Sequence, residues 1–286
     1  MIAGLRYLAI GSVLVGGLSA SPAEERPAEN PVGVPAAPEL ADGASGADGA
    51  ASEDGAPTQS STQASIPRPR EFYFTRAMYS GFSRGFSRGS WSTDYPKADQ
   101  QFLMLIRRLT NVDAPERENP IRLDDPELRR FPFLYAVEVG YMNLTPPEIE
   151  GLRDYLLAGG FLVVDDFWGS REWANLEFEL RQVFPERPIV ELPLDHPIFH
   201  SYYDIEKLVQ VPSINYARRG VTWERDGRVP HARGILDDDG RLMVAINWNT
   251  DLGDAWEWAE RPEYPLAFST FAVELGVNMI IYAMSH

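Results

Sequence analysis

The sequence predicts an α/β protein built on an open, mostly parallel β-sheet with helices on both faces, extended by a C-terminal hairpin and helix. Short apolar runs alternate with helical patterns, an order that produces parallel strands joined by crossover helices. Residues 161–164 (FLVV) are continuously apolar, as expected of a strand that is buried on both faces. We therefore expect one sizeable α/β domain.

Each element has its own local signal. Thr145, followed by two prolines and Glu148, is typical of a capped helix start, and Gly159 with Gly160 marks the end of that helix. The predicted elements before residue 184 are a strand at 71–75, a helix at 97–109, a strand at 133–139, a helix starting at 146, a strand at 161–166 and a helix at 170–183.

The C-terminal part predicts a hairpin and a core helix. Residues 232–236 and 241–246 flank Asp-Asp-Asp-Gly, a signal for a hairpin turn. Residues 265–284 are apolar but are interrupted by Glu274 and Asn278. This pattern favours a helix packed in the core over a membrane span.

The N-terminal segment predicts export. In residues 1–20, Arg6 precedes an apolar stretch and small residues follow it, which is the pattern of a secretory signal peptide. An uncleaved N-terminal membrane anchor is the alternative, but the apolar part is shorter than the roughly 20 residues of a span. Residues 21–66 are rich in Ala, Pro, Gly and acids and predict a disordered linker. Residues 67–286 remain as the folded domain of a periplasmic or extracellular protein.

Composition excludes several classes of function. The chain has 286 residues and a formal net charge of −16. Without the linker and signal segment, the folded part still carries −10. So acidic a domain is a poor candidate for binding nucleic acid or an anionic membrane surface. Because the sequence contains no cysteine, it has no disulfide, no thiolate zinc ligand and no thiol nucleophile.

Polar residues at the ends of the predicted strands are the main site candidates. Arg76 follows the first strand, Glu138 ends the second, and Asp165 and Asp166 end the third. Ligands of open α/β sheets bind at the carboxyl ends of the strands, where crowded carboxylates raise one another's pKa or hold a cation. The alternative is that Asp165 caps the next turn while Asp166 pairs with an arginine such as Arg171.

Further candidates flank this edge. Asp94 precedes a helix and is either a cap or another edge carboxylate. Trp168 closely follows Asp165 and Asp166, the twin acids. Asp251, Asp254 and Glu257 are spaced three residues apart after an apolar strand. They could face one way and bind a divalent cation, or Asp254 could cap a helix with Glu257 at the third position, which is narrowly favoured.

Two overlapping copies of Gly-Phe-Ser-Arg-Gly match the nucleophile elbow of hydrolases. That elbow needs a strand immediately before the serine and a helix immediately after it, and neither fits here. A nucleophilic role for Ser83 or Ser87 is therefore disfavoured, while Arg84 and Arg88 are expected to offset the edge carboxylates.

His196 and His200 have the spacing of metal ligands on a helix. The glutamate of the His-Glu-x-x-His motif is absent, so metal binding is disfavoured. A hydrogen-bonding or general-base role for one of them at the edge of the sheet is the favoured hypothesis.

Five motifs follow one another in a specific order over the proposed domain. They are WSTDYP (91–96), NLTPPEIEGLRDYLLAGGFLVVDD (143–166), HPIFH (196–200), DLGDAWE (251–257) and LGVNMIIY (275–282). In this order they resemble a bacterial family of exported proteins, domain of unknown function forty-one fifty-nine. The resemblance implies a class I glutamine amidotransferase-like fold with a flavodoxin-like sheet. It implies no activity, and the missing cysteine excludes glutaminase chemistry.

The sequence therefore predicts an exported domain that binds a small ligand or an envelope protein partner at the carboxyl edge of the sheet. A cysteine-independent hydrolase is the alternative, with Asp165 or Asp166 and one of His196 and His200 activating water, with or without a divalent cation. A structural envelope protein is the third hypothesis.

Overall fold

The computed structural model describes residues 72–82 and 90–286. The predicted signal segment and linker lie outside the described residues. So do Ser83, Arg84, Ser87 and Arg88 of the repeated glycine-rich motif.

Within the described residues, seven strands form one sheet, in the spatial order β2-β1-β3-β4-β7-β6-β5. From β2 to β7 every neighbouring pair is parallel, whereas β6 and β5 are added in antiparallel fashion. The five parallel strands thus follow the 2-1-3-4-5 order of flavodoxin-like sheets, with the reversal between β1 and β3. The predicted α/β class is confirmed. The strands are β1 Thr75–Met78, β2 Asn119–Arg122, β3 Phe133–Val137, β4 Phe161–Asp165, β5 Val190–Glu191, β6 His231–Leu236 and β7 Leu242–Trp248.

Helices cover both faces of this sheet because the central strands alternate between two apolar cores. Tyr135 and Val163 face one core, which includes Phe102 and Trp256. Leu134 and the other alternate residues face the second core, which the two crossover helices complete. The helices are α1 Lys97–Leu109, α2 Pro146–Leu157, α3 Gly169–Val183, α4 Ile214–Ala217, α5 Leu252–Glu257 and α6 Leu266–Ser285.

The strongest local signals match the structure. Helix α1 has the predicted bounds, and α2 begins at Pro146 with a capping box between Thr145 and Glu148. The hairpin of β6 and β7 turns through Gly240, whose φ of 83° suits glycine. These elements were predictable because their caps and turns lie within a few residues of one another.

The edges of the sheet differ from the prediction. Strand β1 starts at Thr75 rather than at residue 71, although Phe72 and Phe74 are buried in the core. Strands β2 and β5 were not predicted, since β2 is a polar edge strand that contains Pro120 and β5 has only two residues. Edge strands lack the alternating apolar pattern that reveals a strand in sequence.

Among the described residues, α6 is one helix that is long and apolar enough to cross a membrane by length and composition alone. Of its most apolar window, 61% is buried inside the domain. The fully buried Asn278 side chain accepts hydrogen bonds from the amides of Tyr202 and Tyr203 and donates to the Tyr203 carbonyl. Asn278, which interrupts the apolar pattern of α6, therefore binds the backbone of the segment 202–203.

Candidate functional site

A cleft of about 360 Å³ opens at the carboxyl edge of the sheet. The loops that follow the parallel strands β1, β3, β4 and β7 all reach it, because parallel strands end at the same edge. Its lining is dominated by acidic side chains: Asp94, Glu138, Asp166, Glu224, Asp251, Asp254 and Glu257. The rest of the lining is Thr93, Trp168, Ser213, Ile214, Asn215, Arg225 and Trp258.

An inner group of three carboxylates lies at the bottom of the cleft. Asp94, Asp166 and Asp251 each offer an oxygen, and these atoms lie within 4.8 Å of one another. Asp166 is 8% exposed and Asp251 is 3% exposed. The Oδ2 atom of Asp94 is buried and has no hydrogen-bond partner within residues 72–82 and 90–286. A buried carboxylate oxygen without a donor is costly, so this group is one that a cation would stabilise.

An outer group shares Asp94 with the inner one. Asp94, Asp254 and Glu257 also place one oxygen each within 4.8 Å of one another. The two oxygens of Asp254 accept hydrogen bonds from the Ile214 amide at 2.6 Å and from Trp258 Nε1 at 3.1 Å. Asp254 is thereby fixed with its carboxylate directed into the cleft.

The cap at the start of α5 differs from the prediction. Asp251, not Asp254, is the N-cap, and its Oδ1 accepts a hydrogen bond from the Asp254 amide at 2.7 Å. Asp254 occupies the third position of the helix. Asp251 and Asp254 therefore serve both the start of the helix and the acidic cleft. A helix cap and a cation site at these residues do not exclude each other.

Left-handed backbone conformations position several of these side chains. Asp94, Glu138, Asp166 and Arg225 have φ between 49° and 59°, and all four line the cleft. Non-glycine residues rarely adopt such angles, and they do so where the surrounding structure holds them. Around Asp166, its amide donates to the Thr250 carbonyl and its carbonyl accepts from the Glu138 amide. These bonds tie together the loops after β3, β4 and β7.

The electrostatics of the cleft follow from burial and like charge. Burial raises the pKa of Asp94, Asp166 and Asp251 well above its usual range, and neighbouring carboxylates raise it further. Burial, followed by the charge of Glu172, raises the pKa of Glu138 to about 7. The carboxylates therefore either keep protons at neutral pH or require a cation.

The twin acids have separate roles. Asp165 does not line the cleft, because its Oδ2 accepts hydrogen bonds from the Tyr135 hydroxyl at 2.7 Å and from the amides of Leu252 and Gly253. It thus anchors the start of α5, not the turn after β4, and burial raises its pKa to about 7. Asp166 enters the cleft, and its Oδ1 accepts a hydrogen bond from Trp168 Nε1 at 3.2 Å.

Arg76 also lies outside the cleft. It is fully buried within β1, where its guanidinium pairs with Asp99 of α1 and donates to the Thr93 carbonyl. The Tyr135 ring packs against it, with the guanidinium carbon 5.0 Å from the ring centroid. Arg76 therefore supports the loop that carries Asp94. Burial and neighbouring carboxylates raise the pKa of Asp94, and the positive charge of Arg76 offsets a part of that rise.

The structure does not bring His196 or His200 to the twin acids. The His196 ring lies 6.0 Å from the ring of Tyr282, whose hydroxyl accepts from the amide of Leu242 at the amino end of β7. The His200 ring contacts Asp204 and the Leu194 carbonyl. The histidines therefore lie towards the opposite edge of the sheet, and the expected Asp–His pair is not formed.

Sequence reasoning missed the loop between α4 and β6. Arg225 contacts Glu172 through Nη1 at 2.5 Å and donates from Nη2 to the Tyr141 hydroxyl at 3.1 Å. Glu224 accepts a hydrogen bond from Ser213 at 3.0 Å. This loop has no periodicity or motif, so only the fold brings it to the cleft.

Residues 74–284 match a family model described as Domain of unknown function (DUF4159). The chain belongs to this family. The match runs from β1 almost to the end of α6, so the DUF4159 domain is the α/β domain that carries the cleft. None of the curated proteins compared with the chain matches it.

Proposed function

We propose that the cleft of this DUF4159 domain binds a divalent cation through Asp94, Asp166 and Asp251. The observation that carries the proposal is the inner group of three carboxylates, with a buried Asp94 oxygen for which the described part of the chain supplies no hydrogen-bond donor. Ligand oxygens on opposite sides of a calcium ion, each about 2.4 Å from it, are about 4.8 Å apart. The spacing of the three carboxylates is therefore compatible with a shared ion.

The charge of the lining supports a cation rather than an anion. Among the residues that the structure describes, seven carboxylate side chains and one guanidinium, that of Arg225, line the cleft. Fully ionised, this lining has a formal charge of −6. Such a surface repels anionic ligands and draws cations in.

The ligand atoms favour a hard ion. The cleft offers carboxylate oxygens, and among its described lining residues there is no histidine. Oxygen-only sites suit Ca²⁺, Mg²⁺ and Mn²⁺, whereas zinc sites use nitrogen and sulfur ligands. The proposed ion belongs to the first group.

Thermal unfolding with and without Ca²⁺, Mg²⁺ or Mn²⁺ tests the proposal. An ion at 100 times its Kd stabilises the folded state by about 2.7 kcal/mol, which corresponds to a rise in Tm of roughly 5–10 °C for a domain of this size. The rise should be lost in Asp166→Asn and kept in Asp239→Asn, since Asp239 is an exposed residue of the hairpin turn. No rise with any of the three ions, or an equal rise in both variants, contradicts the proposal.

Metal-assisted hydrolysis is a second candidate, favoured by the position of Glu138 in the cleft. A bound cation would lower the pKa of a coordinated water. Glu138 lines the same cleft, and its carboxylate would accept a proton from that water. Hydrolysis of the uncharged ester p-nitrophenyl acetate should then require Mn²⁺ and be lost in Glu138→Gln. Turnover that persists in this variant would exclude Glu138 as the base.

Export remains part of the proposed function. It is supported by the charged, apolar and small-residue pattern of residues 1–20. When the full chain is expressed in a bacterium, the mature protein should begin at Ser21, which N-terminal sequencing can establish. A mature protein that begins at Met1 and sediments with membranes would support the anchor instead.

A further inference from the structure

We propose that the cleft holds two divalent cations, with Asp94 as the carboxylate that bridges them. The inference rests on the proposed function, because the inner ion is the one assigned above. The outer ion would be held by Asp94, Asp254 and Glu257. In binuclear sites of this type the two ions lie about 3.5–4 Å apart.

The geometry that points to a second ion is the sharing of one residue by two groups. The inner and outer groups have Asp94 in common and no other residue, and each group meets the same 4.8 Å spacing. A carboxylate has two oxygens and can therefore serve one ion with each. The buried Oδ2 of Asp94, which no donor among the described residues satisfies, shows that this shared residue has an oxygen available for a ligand.

The backbone of Asp94 is held at the start of α1. Its φ is 59°, and its carbonyl accepts a hydrogen bond from the Ala98 amide in the first turn of α1 at 2.9 Å. An oxygen of Asp94 lies within 4.8 Å of Asp166, in the loop after β4, and one lies within 4.8 Å of Asp254 and Glu257 in helix α5. The outer ligands Asp254 and Glu257 thus belong to a helix, while Asp166 directly follows β4.

Charge balance also favours two ions. A single divalent cation would reduce the formal charge of the lining from −6 to −4, and two would reduce it to −2. In a partly buried cleft the remaining repulsion is costly. A second ion next to Asp254 and Glu257 would neutralise the negative charge of these two carboxylates, which are not ligands of the inner ion.

Lys97 is the competitor for the outer position. Its Nζ lies 3.9 Å from Glu257 Oε1 and 3.9 Å from the centroid of the Trp258 ring. The side chain is 38% exposed, and the distance to Glu257 is longer than a hydrogen bond. Such exposed pairs are weak, so a divalent ion can displace the ammonium group.

Titration of the full chain with Mn²⁺ at neutral pH, followed by calorimetry and electron paramagnetic resonance, tests the inference. Two ions should bind per chain, and the spectrum should show two magnetically coupled Mn²⁺ ions. Glu257→Gln should bind one ion and lose the coupling. Asp94→Asn should weaken both binding steps at least tenfold, and Asp239→Asn should bind as the wild type does.

The variant Lys97→Met gives a test that does not depend on removing a ligand. Since the ammonium group competes with the outer ion, its removal should tighten the second binding step at least threefold and leave the first unchanged. Circular dichroism of every variant checks that it is folded.

The possible failures are distinguishable. If the wild type binds one Mn²⁺ that Asp166→Asn removes and Glu257→Gln leaves in place, the bridge is refuted and the single site stands. If the folded wild type binds no Mn²⁺, the two-ion site is refuted, and if it also shows no rise in Tm with Ca²⁺ or Mg²⁺, the single site is refuted as well. Two ions without magnetic coupling would place the second ion elsewhere and overturn the assignment to Asp94.

Discussion

Replacement of Glu138 by glutamine should change how stability depends on pH in the absence of divalent cations. Burial and the charge of Glu172 raise the pKa of Glu138 from 4.5 to about 7 in the folded protein. Below pH 4.5 the carboxyl group is protonated in both the folded and the unfolded state. Between pH 4.5 and 7 the unfolded chain releases this proton while the folded protein keeps it. The free energy of unfolding therefore falls as the pH rises through this window.

The magnitude follows from the two pKa values. Each pKa unit corresponds to about 1.4 kcal/mol, so a pKa of about 7 against 4.5 removes at most about 3 kcal/mol of stability by pH 8. Partial contact of Glu138 with solvent makes this an upper bound. Glutamine has no proton to lose and avoids this loss. Glu138→Gln should therefore match the wild type near pH 4.5 and become more stable than it by up to about 3 kcal/mol at pH 8.

Urea denaturation in EDTA at half-unit steps between pH 4.5 and 8 measures this difference. Glu150→Gln is the matched control, because Glu150 is exposed on α2 and does not line the cleft. A stability difference between Glu138→Gln and the wild type that stays constant with pH would refute the reasoning. So would a difference that favours the wild type at high pH.

Two further predictions concern buried groups beneath the cleft. Asp165→Ala leaves three donors without their acceptor, including the Tyr135 hydroxyl, and should lower the free energy of unfolding by about 3–5 kcal/mol. Asp165→Asn keeps an acceptor oxygen and should lower the free energy of unfolding by less. Urea denaturation measures both variants, and an alanine variant as stable as the wild type would contradict the role of Asp165. Arg76→Met leaves Asp99 buried and unpaired, at a cost of about 3–5 kcal/mol. Adding Asp99→Leu should recover part of that loss, and a double variant less stable than Arg76→Met would argue against the buried pair.

The sequence predicts this fold well wherever the signals are local. Helix α1 shows its amphipathic pattern and α2 its capping box within a few residues, so both were placed correctly. Strands β2 and β5 have no such signal, because their place is set by pairing with β1 and β6 at the edges of the sheet. Tertiary context decides edge strands, and a single sequence does not contain it.

The candidate site was predictable to the extent that it depends on topology. Asp166 and Glu138 follow neighbouring parallel strands, so their meeting at one edge follows from the order of the elements. The different fates of Asp165 and Asp166 depend on side-chain direction, since consecutive residues at a strand end point to different sides. Asp165 lies in β4 and turns to Tyr135, while Asp166 leaves the strand with a left-handed φ. Arg225 comes from a loop without any pattern, and nothing in the sequence predicts its position.

Crystals of the protein soaked in Mn²⁺ and measured for anomalous scattering would test the central claim most directly. The proposal predicts an anomalous peak in the cleft, with oxygens of Asp94, Asp166 and Asp251 about 2.1–2.5 Å from it. The Asp94 Oδ2 atom, which has no hydrogen-bond partner in the described part of the chain, should be one of its ligands. A cleft without a peak at millimolar Mn²⁺, or a peak bound only by exposed surface carboxylates, would contradict the account.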